Sequence, residues 1–330
     1  MCGLCGELRF DGSAPEAGVV ERMKDRLQKR GPDSEGLYIN APVALGHRRL
    51  AIIDLTDKAA QPMLDEPAGV SLVFNGTIYN YPELRKELQA LGHIFTSTGD
   101  TEVILRAYIE WGENCIARLQ GMFAIAIWDS KKQVMLLARD RSGIKPLYYS
   151  QTEQRLLFAS NTQALIHADE KIDTSIDSIA LHHLFSLHAV VPAPRTVVSG
   201  IRKVKPAHYM LIDKSGEVQE KRYWSLRAKR PDKNMTEQDW ITAVHDELRR
   251  AVEKRVKIAD VPVGVLLSGG IDSSLLVGLL AEAGQKGLKT FSVGFEDAPE
   301  EKGNEFEYSD AVAEKFQTEH HQLMVPNNQV

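Results

Sequence analysis

The chain has 330 residues, 43% apolar and 26% charged, with a net charge of −5. That is room for two domains with real cores and the make-up of an ordinary soluble protein, and the mild acidity gives no reason to expect nucleic acid. Three cysteines make no disulfide framework, no apolar run is long enough to span a membrane, and no basic-then-apolar leader is read, so the expectation is a reducing cytoplasm and no membrane partner.

The chain opens Met1-Cys2-Gly3-Leu4-Cys5-Gly6. Removal of Met1 would put a thiol and a free α-amine on one residue, Cys2. The thiolate is the reactive form of cysteine. An α-amine, with a reference pKa of about 7.7–8.0, can take the thiol proton directly or through a water. Plainer readings stand beside this. Cys2 could be an incidental residue at a frayed end. With Cys5 it makes a C-x-x-C, but zinc wants a second pair and Cys115 is the one cysteine left. A redox C-x-x-C opens a helix, whereas Glu7 to Phe10 alternates like a strand.

Leu4 to Phe10 therefore reads as a strand. Val20, Met23 and Leu27 fall at helical spacing, stopped by Arg30-Gly31-Pro32-Asp33. Val43 to Ile53 and Val70 to Phe74 suit buried strands. Tyr81 to Leu91 and Thr101 to Trp111 read as helices, the second with Asp100 placed to cap it. Strand pairs are predicted for Met122 to Trp128 with Val134 to Ala138, and for Leu147 to Tyr149 with Leu156 to Ala159. A helix over Ile176 to Leu187, a proline-bearing stretch Val191 to Pro194 and a strand over His208 to Ile212 follow. Stacked strands with helices outside predict a layered α+β domain. The composition turns polar and charged from Arg222 to Lys233, which marks a domain boundary.

After a helix over Thr236 to Lys257 the grammar changes. Val261 to Leu267 is a strand, Leu275 to Ala283 a helix, Thr290 to Phe295 a strand, Tyr308 to Phe316 a helix and His320 to Val325 a strand. This is the β-α-β-α-β order of a parallel sheet. Three strands leave a raw sheet edge, so the chain is expected to be the N-terminal part of something longer, or to have a partner. Between the first strand and helix lies Ser268-Gly269-Gly270-Ile271-Asp272-Ser273-Ser274. Glycines there let the backbone approach a ligand, and successive N–H groups at a helix start attract an anion. The histidine pairs His182-His183 and His320-His321 lack metal-ligand spacing and read as structural; no metal site is expected.

The Ser268 string resembles the pyrophosphate loop of the ATP pyrophosphatase superfamily, whose members adenylate a carboxylate or carbonyl. The N-terminal motifs then fall into place. They are Met1-Cys2-Gly3, Arg30-Gly31-Pro32-Asp33, Arg49-Leu50-Ala51-Ile52, Phe74-Asn75-Gly76, Gly99-Asp100 and Arg139-Asp140-Arg141 through Tyr149. Together they resemble the glutamine-hydrolysing asparagine synthetases. The resemblance implies an N-terminal-nucleophile αββα domain, a class II glutaminase over residues 2–215. It also implies the N-terminal part of an α/β parallel-sheet ATP pyrophosphatase domain over 235–330.

Carried over, Cys2 attacks the glutamine carboxamide, with Asn75 and the N–H of Gly76 as oxyanion hole. Arg49, with Leu50 and Asn75, would hold glutamine by its α-carboxylate end, and Asp100 would meet the α-ammonium. Leu267, Ser268, Gly269, Gly270, Asp272, Ser273 and Ser274, with Val293 and Gly294, would bind ATP, which arrives with Mg²⁺ as a substrate; no tightly bound cofactor is implied. The ammonia would aminate a carboxylate acceptor, aspartate or a dipeptide, and a homodimer is an option.

The family has glutamate where this chain has Thr77. Thr77 and His188 to Pro194 resemble the N-acetylglutaminylglutamine amidotransferases, which is the alternative for the acceptor. An ATP-dependent ligase or cyclase with a decayed glutaminase half is a second alternative, against which Cys2 argues. A non-catalytic regulatory fragment is a third.

Overall fold

Two units make up the chain, Met1–Arg227 and Ala228–Val330. The computed structural model describes residues 1–230, 234–285, 287–296 and 303–326. The last residues of the polar stretch that ends at Lys233, and the last four of the segment 235–330, lie outside the described residues.

The first unit begins β1 (Gly3–Arg9), α1 (Ala17–Asp25), β2 (Ser34–Asn40), β3 (Val43–Arg49), β4 (Met63–Asp65), β5 (Val70–Ile78), α2 (Tyr81–Ala90), α3 (Asp100–Trp111) and α4 (Cys115–Arg118). It continues β6 (Gly121–Asp129), β7 (Val134–Arg139), β8 (Tyr148–Gln151), β9 (Arg155–Ala159), α5 (Thr162–Ile166), α6 (Ser178–Ser186), β10 (Arg202–Lys203), β11 (His208–Asp213) and β12 (Val218–Arg222). The strands form two six-stranded sheets, in the orders β10-β8-β9-β1-β3-β2 and β12-β11-β7-β6-β5-β4.

The layering follows from alternation, because successive side chains on a strand face opposite ways. Leu4 and Leu8 of β1 and Val43 and Leu45 of β3 face inward. There they meet Val73, Ala124, Ala126 and Trp128 of the second sheet. The residues between them, Cys5 and Ala44, face out and pack under Val20 and Met23 of α1 and Leu165 of α5. On the far side, Phe74, Ile125 and Ile127 pack under Leu84 and Leu88 of α2 and Ile104 and Tyr108 of α3. The result is helix, sheet, sheet, helix.

Several expectations need correction. β3 stops at Arg49, so Leu50 to Ile53 are not strand. β5 runs on past Phe74 to Ile78 and pairs Asn75 with Ala124 and Gly76 with Phe123. Asn75-Gly76 is thus inside a strand. Gly99, not Asp100, takes the cap position of α3; the Asp100 Oδ2 accepts the N–H of Ile78 at 3.0 Å instead. Leu27 lies beyond α1, buried just before a 3₁₀ turn at Gln28–Arg30. The short strands β2, β4, β10 and β12 were not read, since edge strands, half or fully exposed, carry little apolar alternation.

The second unit runs α7 (Glu237–Lys257), β13 (Gly264–Leu266), α8 (Ile271–Glu282), β14 (Lys289–Phe295), α9 (Phe306–Phe316) and β15 (Glu319–Val325). Its strands are parallel, in the order β13-β14-β15. Thr236 and Asp239 form a capping box that starts α7. Val265 and Leu267 pack with Val277, Leu280 and Ala313. The alternate positions Leu266, Phe291, Val293 and Leu323 are exposed.

Candidate active site

Cys2 sits one residue before β1, at the rim of the first sheet. Its Sγ accepts the Leu50 N–H at 3.3 Å and lies 3.5 Å from the Leu50 carbonyl. Leu50 is there because the chain leaves β3 at Arg49 and is caught at once. Asp33 donates its N–H to the Arg49 carbonyl at 3.0 Å, and its Oδ2 accepts the Ala51 N–H at 2.8 Å. Arg30 Nε donates to the Cys2 carbonyl at 3.1 Å. The Arg30 to Asp33 string therefore braces both Cys2 and its partner strand end. Burial pushes the Cys2 thiol above its ordinary value, and the Leu50 N–H holds it partly down. The α-amine of the chain is pushed down, by burial first and then by Arg30 and Lys145, against Cys2 and Asp33.

A cavity of about 160 Å³ opens beside the thiol, lined by Cys2, Arg49, Leu50, Asn75, Gly76 and Asp100, and also by Gln61, Thr77 and Lys145. The six predicted residues of the first unit are thus brought to one place. Its wall is the free edge of β5 beyond the end of β4. In an antiparallel ladder every second N–H faces away from the neighbour. On this edge Phe74 gives its N–H to Gln61 Oε1 at 2.6 Å and Ile78 gives its own to Asp100 Oδ2 at 3.0 Å. Gly76 lies midway between them, and its N–H faces the same side with no side-chain acceptor among the described residues. Glycine is required there, since a Cβ would come within 2.1 Å of the Met122 carbonyl. Asn75 is 1% exposed, and its Nδ2 is buried with no hydrogen-bond partner. Two unspent donors on adjacent residues can hold a developing oxyanion.

The charged groups are fixed by the backbone around them. Arg49 donates from Nη1 to the Thr56 carbonyl at 2.9 Å and from Nη2 to the carbonyls of Ile53 and Asp54. Asp100 is buried, and desolvation raises its carboxyl to about 6 although the Ile78 N–H and Arg49 oppose this. Sequence reasoning missed Gln61, which joins β5 to Thr101 through a 3.3 Å bond from Nε2. It placed Lys145 only within the Arg139 to Tyr149 stretch, expected to line an ammonia route between the domains, and gave it no role at Cys2. Nothing local marks Gln61, whereas Lys145 lay in a quoted motif.

In the second unit a cavity of about 290 Å³ lies at the C-terminal ends of β13 and β14. Of the predicted residues it brings together Leu267, Ser268 and Val293; Gly269, Gly270, Asp272, Ser273, Ser274 and Gly294 do not line it, whereas Ser292, Asn304 and Ser309 do. The Ser268–Ser274 loop is closed on itself. Ser268 Oγ accepts the Gly270 N–H at 3.3 Å and lies 3.1 Å from Ser273 Oγ. Gly269 has φ of +84°, and a Cβ there would also meet Tyr308 at 2.4 Å. His320 Nδ1 lies 2.8 Å from Thr290 Oγ1 and His321 stacks on Phe291. Among the described residues no group of three His, Cys, Asp or Glu is placed to hold a metal, and no helix is long and apolar enough to cross a membrane.

Comparison with known proteins shows what the two units resemble. Residues 1–224 match the glutamine amidotransferase domain family, and residues 243–330 match asparagine synthase. Asparagine synthetase [glutamine-hydrolyzing] 3 of Bacillus subtilis is 33% identical over 98% of this chain and 54% of its own length. Asparagine synthetase [glutamine-hydrolyzing] 1 of the same organism is 39% identical over 90% of this chain and 46% of its own. The chain thus spans about half the length of these curated relatives. The glutamine phosphoribosylpyrophosphate amidotransferase structure from B. subtilis aligns with a TM-score of 0.51 at 17% identity, over 97% of this chain and 65% of that one. That likeness is one of fold.

Proposed function

We propose, for a chain that belongs to the glutamine-hydrolysing asparagine synthetase family, that the first unit hydrolyses glutamine at Cys2 and the second begins an ATP-dependent carboxylate-activating domain. The observation that carries the first part is the Cys2 thiol at the mouth of a cavity whose wall holds the unpartnered Asn75 Nδ2 and the Gly76 N–H.

In this reading Met1 is removed and the α-amine belongs to Cys2. The buried thiol is protonated at rest, so the amine takes its proton as Sγ attacks the side-chain carbonyl carbon of glutamine. The oxygen gains negative charge between Asn75 and Gly76. The amine then protonates the leaving nitrogen, the C–N bond breaks, and ammonia departs from a γ-glutamyl thioester. Water attacks the thioester carbon, glutamate leaves and the thiol is restored. Arg49 takes the α-carboxylate and Asp100 the α-ammonium. In the second unit the Ser268–Ser274 loop and the start of α8 take the pyrophosphate of ATP, with Mg²⁺ carried on its phosphates. The activated acyl-adenylate is that of aspartate, and ammonia converts it to the amide.

Thr77 supports a second reading of the acceptor. It lines the cavity where the family carries glutamate, which favours the branch that amidates N-acetylglutaminylglutamine. A ligase with a decayed glutaminase is disfavoured by Cys2 and Asn75. The test is glutamate release from glutamine by the purified chain beside Cys2→Ala, with intact mass to establish that Met1 is absent. Release that vanishes in the variant supports the reading. Release that persists, or none from a folded chain lacking Met1, rejects it.

A further inference from the structure

We propose that Lys145 and Arg30 are the two cations that keep the α-amine of a terminal Cys2 neutral and ease the loss of its thiol proton. This rests on the reading of Cys2 as a nucleophile. The two act through Cys2 and are positioning residues in that sense.

Lys145 is 5% exposed. Its N–H donates to Asp140 Oδ2 at 2.9 Å and its carbonyl accepts from Arg139 Nε at 2.8 Å, so its backbone is held from both sides. Asp140 has no oxygen left for the ammonium. Its Oδ1 accepts the N–H of Ser142 and Ile144, and its Oδ2 those of Phe123 and Lys145. Among the described residues the Lys145 Nζ has one hydrogen-bond partner, the Met1 sulfur at 3.0 Å. That partner leaves with Met1. Arg30 reaches the same spot from the Gln28–Arg30 turn, with Nε on the Cys2 carbonyl and Nη2 buried without a partner.

Asp140 still sets a negative charge near Lys145, but with no hydrogen bond between them the ammonium also acts on its other neighbours, and a buried cation favours whatever neighbouring state is less positive. For the terminal residue those states are the neutral amine and the thiolate. Burial keeps the thiol protonated at rest, so the cations act by lowering the cost of losing that proton. Of the other charged groups, Arg49 aids the cations at the thiol and Asp100 opposes them there, and Asp33 opposes them at the α-amine that Met1 carries next to Cys2. Asp33 and Asp100 each spend an oxygen on a backbone N–H, of Ala51 and Ile78. Tyr148 faces Arg30.

The test is the pH dependence of Cys2 alkylation by iodoacetamide, read by peptide mass on the full chain, with intact mass to verify loss of Met1 in every variant. Lys145→Met should move the midpoint up by about one pH unit and slow alkylation at pH 7 roughly tenfold, with Tm unchanged or raised. Lys145→Arg, which keeps the charge, should keep the midpoint. Arg30→Gln retains a donor for the Cys2 carbonyl and should move the midpoint the same way as Lys145→Met. A wild-type midpoint in folded, Met1-free Lys145→Met or Arg30→Gln overturns the proposal. The readout uses no glutamine, so it stands apart from the glutaminase test. Persistent glutamate release in Cys2→Ala would reject the reaction without bearing on this midpoint.

Discussion

Asn75 and Asp100 are both buried in the same cavity wall, and their substitution should have opposite kinetic signatures. Asn75 Nδ2 has no hydrogen-bond partner among the described residues of the protein, and in the proposed reaction its work is done on the oxyanion. Asn75→Ala should lower kcat about 10²–10³-fold with little change in KM for glutamine, measured by initial-rate kinetics. In the proposed reaction Asp100 acts on binding, by meeting the α-ammonium. Asp100→Asn should raise KM about 10–100-fold, the loss of one charge-assisted hydrogen bond, with a smaller effect on kcat. The same variant should be more stable. The folded carboxyl titrates near 6 against an ordinary 3.8. The folded state therefore holds an extra proton between these values, and its stabilising effect is complete below about pH 4 and lost as pH rises through about 6. At pH 8 Asp100→Asn should gain about 2–3 kcal/mol in denaturant unfolding, provided its amide oxygen still accepts the Ile78 N–H. In wild type, KM should climb as pH falls below about 6. At this scale Cys2, Asn75 and Asp100 could be read from residue type and motif. Gln61 could not, because its importance lies in a bond to Phe74, 13 positions away.

Among the elements, β5 is the one on which the cavity depends. It is a central strand at its start, between β4 and β6, and a free edge at its end, because β4 pairs only as far as Leu72. That change turns the N–H of Gly76 into a ligand-facing donor. Gly76→Ala should force β5 off β6, since the clash is with backbone at Met122. A loss of more than about 2 kcal/mol in unfolding free energy is expected, together with loss of glutamate release. The sequence reading ended this strand at Phe74 because Asn75-Gly76 breaks apolar continuity and is a common turn signal. It ran β3 on to Ile53 for the converse reason. Leu50 to Ile53 are apolar, and what removes them from the sheet is Asp33, a capture from another element.

At the level of the whole chain the two units differ in how completely each encloses its own core. The first has three clusters of fully buried side chains, all within its own residues. Residues 1–227 made alone should keep the melting temperature of that unit in the full chain and its Cys2-dependent glutamate release, by calorimetry and by enzymatic assay. Among the described residues the second has one smaller cluster and a sheet face with Phe291, Val293 and Leu323 exposed, so its amides in β14 should exchange with solvent faster than those of β6. By itself the sequence determined the layered first domain and the β-α-β-α-β second domain, because these follow from periodicity, and it named the candidate site residues through the resemblance of its motifs to a known family. Only the tertiary structure decided that Gly76 faces the cavity, that Asp100 is buried enough to titrate near 6, and that Lys145 meets the chain end 144 positions away. Those properties depend on which groups are left without a partner once the sheets have stacked, and that is a sum over contacts distant in sequence.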